Sequence, residues 1–507
     1  MGIDNIPLEV LGIIIGYLLL PEGQSDSGLD VELDDLRNAR LVCRRWNSVA
    51  STHMFRNVAL LHTPDGEDFT KFKQLVASST VQHAARCVEI YSAPHHYPHD
   101  ITQDRNYDVW DLWEDGDYEE FTSAIDCIAH LPKLQAVHIR FSDRCTGDPD
   151  HDYYWECGIE SVSTRLHTLE AVFRAMQTRA TREAGKHGNP VTSITSLTIQ
   201  NLQNIPIPDF VSSDSFRSVA KGITKLRLLV AEEYNEAGPD YDLDCVERRT
   251  FEPWLQNSFL PLFANQLTSL HLAFNEHWGV APGYFDGKNL FFPNLKTLTL
   301  GNFVIGHHNQ FDWVLAQKSL ETLRLNQCAI VSYLTFLHQS GLNQGQLRDW
   351  NTPIHDWKQY PEWSFGFDEG MSTFSFPGTW EAVFDSIRAE LPNLVDFRME
   401  NPSRAGNHFN SAEYMRCMLT CLRYTTLDTG LLPSPWIQAD DFTGKMHFGN
   451  NDPAVLPPED RGKYQYVEKA ELNRAKETLA GDLRAFKALV RAVEERRRQR
   501  GFHQIST

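Results

Sequence analysis

Basic charge is in short supply in this chain. Its 507 residues hold 47 Lys and Arg against 67 Asp and Glu, a formal net charge of −20. A general nucleic-acid surface needs a basic face to neutralise phosphates, so this balance argues against nucleic acid as the partner. The nine cysteines form no CxxC pair, and Cys417 and Cys421 have no second pair nearby. Neither a zinc ribbon nor a thioredoxin-type site is therefore expected. Long apolar runs are missing as well. The most apolar stretch, Val10–Leu20, is far shorter than the roughly 20 residues that span a bilayer. No Lys or Arg precedes Arg37, and Asp4 and Glu9 lie ahead of and within the start of the apolar region, the reverse of a secretory signal. Ile6 stands where a myristoylation signal has Ser or Thr. The chain reads as intracellular and reduced, with no membrane contact.

Catalytic motifs are also absent. The segment Gly301-Asn302-Phe303-Val304-Ile305-Gly306 is followed by His307 rather than by the lysine of a phosphate loop. No GxSxG elbow and no HExxH helix occurs. His95, His96, His99 and Asp100 form a dense cluster, but Pro94 and Pro98 mark it as loop and neighbouring side chains diverge. No metal, no cofactor and no enzymatic activity are expected. An unrecognised site in the aromatic segment Gly341–Pro377 is the remaining enzymatic alternative.

What is present begins near the amino end. Pro7 and Glu9 mark a helix start, since proline lacks the N–H that has no partner there and an early carboxylate suits the helix dipole. Val10, Leu11, Ile14, Tyr17 and Leu18 recur at helical spacing. A second stripe runs through Leu36, Ala39 or Arg40, Cys43, Trp46 or Asn47 and Ala50, with Leu41, Val42, Val49 and Phe55 widening it. So small a module cannot bury this surface alone. Periodicity fits either a partner or the chain's own body as the cover.

The ordered run Pro7-x-Glu9-Val10-Leu11, then Arg40-Leu41-Val42-Cys43-Arg44-x-Trp46, then Phe55 resembles the F-box. Its style is similar to the large F-box families of filamentous fungi. The resemblance implies docking on the Skp-type adaptor of a cullin–RING (SCF-type) ubiquitin ligase. Pro7, Leu8, Val10, Leu11, Ile14, Leu18, Leu41, Val42, Cys43 and Trp46 are the implied adaptor-binding residues. Leu19–Asp34 is longer and more acidic than the usual loop of the family.

Beyond residue 60 an apolar-x-x-apolar-x-apolar segment returns. Its copies start at Leu134, Ile194, Ile223, Leu267, Leu295, Leu320 and Leu394, with a weak one at Ala85. The steps from Leu267 to Leu295 and Leu320 fall within the roughly 20–29 residues of a leucine-rich repeat, which the pattern resembles. The longer gaps from Leu134 to Ile194 and from Leu320 to Leu394 require insertions or degenerate repeats. Helices are predicted at Leu166–Arg182, Phe311–Lys318 and Trp380–Glu390. The fold class expected is α/β: a small all-α F-box (residues 1–60), then an irregular leucine-rich-repeat-like solenoid (61–430). Alternate strand residues would face a protein target. These include Ser269, His271 and Ala273; Thr297, Thr299 and Gly301; Thr322, Arg324 and Asn326; and Asp396, Arg398 and Glu400. His271, Thr299, Arg324, Asn326, Arg398 and Glu400 are the candidate target-binding set.

The histidine- and acid-rich insertions Tyr91–Glu120 and Asp143–Gly158 read as surface loops. A proline-bearing strap spans 431–462. An amphipathic helix is predicted over Lys463–Arg500, ending in Arg496, Arg497, Arg498 and Arg500. Four readings remain open for it: a cap on the solenoid, a free coiled-coil arm, a basic patch for nuclear import or an acidic partner, and a disordered tail. The overall expectation is a substrate receptor whose target is a protein, with an adaptor-bound scaffold outside a complete ligase as the alternative.

Overall fold

The computed structural model describes residues 6–17, 34–62, 67–94, 118–142, 160–182, 191–231, 246–281, 283–337, 342–343, 346–347, 352–360, 371–400, 423–428, 432–433, 437–439, 446–448 and 474–501. Their contacts divide the chain into two compact units. The first comprises Met1–Ser142, Asp148–Gln200 and Ser212–Ile223; the second comprises Asp143–Gly147, Asn201–Val211 and Thr224–Thr507.

The first unit opens with three helices: α1 (Leu8–Gly16), α2 (Asp34–Val42) and α3 (Arg44–Met54). The sequence stripe through Leu36, Cys43 and Ala50 is not one continuous helix. It breaks at Cys43, whose extended backbone (φ −162°, ψ 171°) turns α2 into α3. Leu11, Ile15, Leu36, Ala39 and Ala50 close a small core between the three helices, with Ile6, Trp46, Val49 and Met54 packed against it. Arg40 ties α2 to α3. Its Nε donates to Asn47 Oδ1 at 3.1 Å, and its guanidinium lies over the Phe55 ring.

Four parallel strands follow, β1 (Asn57–His62), β2 (Cys87–Pro94), β3 (Ala136–Arg140) and β4 (Ser196–Gln203), the last assigned to the first unit only as far as Gln200. Their register stacks apolar residues into two rows. Val58, Val88, Val137 and Leu197 form one; Leu60, Ile90, Ile139 and Ile199 form the other. The long gap between the segments at Leu134 and Ile194 is an insertion, because β3 pairs directly with β4. It carries the long helix Val162–Thr181, close to the predicted one. Arg179 on that helix is buried and donates to the carbonyls of Leu131, Pro132, Leu134 and Thr192, fastening the helix to the chain entering β3 and β4.

The second unit repeats the arrangement with β5 (Lys225–Ala231), β6 (Ser269–Trp278), β7 (Thr297–Ile305) and β8 (Thr322–Asn326). The last strand of this ladder, Asp396–Glu400, pairs with β8. Leu226, Leu270, Leu298, Leu323 and Phe397 align in one buried row, and Leu228, Leu272, Leu300, Leu325 and Met399 in the next. Each copy also begins alike: two successive N–H groups donate to a single carbonyl of the preceding copy. Thr268 and Ser269 share the Thr224 carbonyl, Lys296 and Thr297 that of Thr268, Glu321 and Thr322 that of Lys296, and Val395 and Asp396 that of Glu321. Asn294 and Asn393, each just before its first leucine, reach back to the carbonyls of Asn265 and Lys318. Recurring strand, recurring core and recurring bridge define a leucine-rich-repeat-like ladder, in which each copy is completed by its neighbour.

The gap between Leu320 and Leu394 is again an insertion. β9 (Ala329–Leu337) leaves the ladder, pairing with the end of β7 through Val304 and Ile305. Strands Met371–Ser375 and Tyr424–Asp428 then flank β9, the first antiparallel and the second parallel. Within the aromatic segment Gly341–Pro377, Trp357, Phe374 and Phe376 are packed into the body. Trp350, Trp363, Phe365 and Phe367 lie outside the described residues.

The C-terminal helix runs Ala475–Gln499, and the predicted onset at Lys463 lies outside the described residues. It packs against the helix Trp380–Glu390, with Phe486 contacting Phe384 and Phe397. Its terminal arginines are engaged. Arg496 donates to the Arg388 and Leu391 carbonyls at the end of the neighbouring helix, and Arg500 to Asn393 Oδ1. The helix caps its unit; it is not a free arm. No helix of the described residues is long and apolar enough to cross a membrane.

Candidate functional site

α1 is apolar almost all round, and its two sides meet different fates. Leu11 and Ile15, four residues apart, point into the small helical core. The other side is open: Ile13 is 61 % exposed and Tyr17 84 %, with Val10 and Ile14 also exposed, while Leu8, on the core side but at the helix start, is 51 % exposed. Across the break at Cys43, Leu41 is 84 % exposed and Val42 is exposed too. Pro7 is exposed, while Cys43 and Trp46 are half-buried. Single exposed apolar residues are ordinary, but seven large ones on two short helices and the cap of the first are an unusual concentration.

Among the residues that the sequence pointed to for docking, Leu11 is a packing residue in this fold. It is 1 % exposed and has no surface to offer a partner. Leu18 lies outside the described residues. Ile13 and Tyr17 belong to the open face and were not among the docking candidates. Helical spacing alone carries no label for which side of an all-apolar helix is core, so nothing in the pattern ranked Ile13 above Leu11.

On the ladder of the second unit the non-core strand positions also align. Arg227, His271, Thr299, Arg324 and Arg398 form one row; Leu229, Ala273, Gly301, Asn326 and Glu400 form the next. Thr299 is buried within the row, and His271 is half-buried. Burial pushes the His271 imidazole down to about 4, helped by the flanking Arg227 and Arg324 charges, so it stands neutral between two guanidiniums. Arg324 and Arg398 share the Asp396 carboxylate at 3.7 and 3.5 Å, and Arg398 lies 3.9 Å from Glu400. Arg324 Nε and Asn326 Oδ1 are buried without a hydrogen-bond partner among the described residues. The row is a polar, mixed-charge surface. Among the described residues, His307, His355 and Asp356 are the group of metal-ligating type whose donor atoms lie within 4.8 Å of one another. The histidine cluster His95, His96 and His99 lies outside the described residues.

Residues 3–60 match the F-box-like family model. The three helices with their open apolar face are thus an F-box-like domain, followed by a leucine-rich-repeat-like region. Comparison with solved structures pairs the chain with the leucine-rich repeat-containing protein LegL7 from Legionella pneumophila. That pairing has 11 % identity and a TM-score of 0.26, and covers 69 % of this chain and 92 % of the other. No curated protein matches the chain. The repeat-like assignment rests on the strand register and the shared-carbonyl bridges described above.

Proposed function

We propose that this protein is a substrate-recognition subunit of an SCF-type cullin–RING ubiquitin ligase. The F-box-like domain docks on a Skp-type adaptor, and the repeat-like ladder holds a protein target. The observation that carries this reading is the exposure of seven large apolar side chains, Leu8, Val10, Ile13, Ile14, Tyr17, Leu41 and Val42, on a domain that matches the F-box-like model. Exposed Pro7 and the half-buried Cys43 and Trp46 complete the proposed contact set. Leu11 supports it from beneath.

In this reading the protein forms no covalent bond with its target. It raises the local concentration of target lysines near a charged ubiquitin carrier, a proximity effect worth orders of magnitude in rate. Candidate target contacts are His271, Arg324, Asn326, Arg398 and Glu400, with Thr299 buried within the row of His271 and Arg324. Affinity purification of the full chain from a native extract with the ligase inhibited tests the reading. Recovery of the adaptor together with a cullin and a RING subunit is expected. Recovery of the adaptor alone would favour a scaffold outside a complete ligase, and recovery of neither would overturn the docking assignment.

A further inference from the structure

The turn after β7 and the segment 352–360 are sewn together in the second unit. Trp357 Nε1 donates to the Gly306 carbonyl at 2.7 Å, and Thr352 Oγ1 to the Val280 carbonyl at 2.9 Å. The His308 N–H donates to Asp356 Oδ2 at 3.0 Å. These bonds hold three side chains of ligand chemistry around one point. Asp356 Oδ2 lies 3.3 Å from His307 Nδ1 and 3.4 Å from His355 Nε2. All three donor atoms fall within 4.8 Å of one another.

His307 is fully buried; its Nδ1 faces Asp356 Oδ2 at 3.3 Å and the ring also meets the Pro353 backbone, but neither contact reaches good hydrogen-bond geometry. A buried polar group left in that state calls for an explanation, and an ion is one of the standard ones. Its ring is clamped between Trp357 and His355, with Tyr284 edge-on, so its orientation is set by packing.

We propose that His307, His355 and Asp356 form a three-ligand site for a divalent transition-metal ion of the zinc class. Ligand atoms about 2.1 Å from a tetrahedral ion sit about 3.4 Å apart. Two of the three separations already have that value. Two imidazoles and one carboxylate favour Zn²⁺, Co²⁺ or Ni²⁺ over Ca²⁺ or Mg²⁺, which take oxygen ligands. Asp356, held by the His308 N–H, is the fixed centre, and the second-sphere bond orients it. His355 is the movable ligand. It is 56 % exposed and stacked on His307, with its Nε2 3.4 Å from Asp356 Oδ2, so its ring has room to adjust to the ion. The fourth position is left for solvent or for a side chain of a bound protein, and the ion would lock the segment 352–360 to the turn after β7.

The test uses the untagged full chain, stripped with a chelator and titrated with Co²⁺ and then Zn²⁺. The same titration is run on His355→Ala, Asp356→Asn and a triple variant lacking His95, His96 and His99. Circular dichroism and melting confirm folding of each. One equivalent of Co²⁺ with visible d–d absorption is expected, displaced by Zn²⁺ and undisturbed by excess Mg²⁺. Zn²⁺ should raise the melting temperature of the parent and of the triple variant, but of neither His355→Ala nor Asp356→Asn. Absence of stoichiometric binding would overturn the proposal. So would binding that survives both His355→Ala and Asp356→Asn, or binding that is lost with the 95–99 histidines. If one of the two site variants fails to fold, the other decides.

Discussion

Arg423 Nε donates to Asp482 Oδ2 at 2.9 Å, and both side chains are fully buried. The same carboxylate accepts from Tyr424 Oη and from the Glu381 N–H, while Arg423 also donates to Thr478 Oγ1. This pair joins the C-terminal helix to the strand Tyr424–Asp428 and to the helix Trp380–Glu390. Removing one member of such a pair leaves the other charge buried and uncompensated, at a cost of about 3–5 kcal/mol. Asp482→Ala should therefore lower the stability of the second unit by that amount in urea titration. A loss under about 1 kcal/mol would mean that the helix is not held by this network.

The ladder makes a sharper packing prediction. Leu298 is completely buried, in register between Leu270 and Leu323, whereas Phe291 at the edge of the same repeat is 57 % exposed. Leu298→Ala should cost about 2–5 kcal/mol through lost transfer energy and the cavity left behind. Phe291→Ala should stay within about 0.5 kcal/mol. Melting both variants against the parent measures the contrast. Equal effects would show that Leu298 does not face the core.

In the first unit, His62 gives a pH dependence with a definite sign. Its Nδ1 lies 2.8 Å from the Ser92 carbonyl, which can only accept, so Nδ1 carries the proton of the neutral ring. Burial among Phe69, Tyr118 and Phe121 pushes its pKa from 6.5 down to about 4, although the Ser92 carbonyl bond pulls the other way. The unfolded chain therefore takes up the proton first. The contribution is complete above pH 6.5, falls as pH drops towards 4, and levels off below that. At about 1.4 kcal/mol per pKa unit the swing is on the order of 3 kcal/mol. Glu160, buried and held towards its neutral form, works in the opposite direction. Comparing denaturant midpoints of the parent and His62→Gln at pH 7 and pH 4.5 isolates the His62 share. The parent should lose more stability than the variant across that interval.

Much of this fold was legible because a parallel ladder imposes a strict demand on sequence. Leu270, Leu298 and Leu323 must be apolar at the same offset, and the spacing advertised them. The helix Trp380–Glu390 was equally plain, with the Thr379 hydroxyl capping its first turn and apolar residues on one face. The insertions were harder to read. β9 and its neighbours are joined by contacts between residues far apart in the chain, and local periodicity carries no trace of such pairing. The break at Cys43 was hidden because its neighbours on both sides are good helix positions. The roles of Leu11 and Ile13 were interchangeable on paper, since a helix apolar all round reveals its core side only when its partners α2 and α3 are in place. His307, His355 and Asp356 escaped notice because the fold, not the spacing, brings them together.

The exposed apolar residues of the F-box-like helices are the proposed docking surface. The most direct measurement is the affinity of the purified full chain for a Skp-type adaptor, by titration calorimetry, with Leu8→Asp/Ile13→Asp and Leu41→Asp beside the parent. Each substitution sits at an exposed position, so melting temperatures should remain within a few degrees of the parent. Docking through this face predicts that the double variant loses at least about a hundredfold in affinity, as expected when anchor residues are replaced by carboxylates. Undiminished binding by both folded variants would contradict the account and place any adaptor contact elsewhere on the chain.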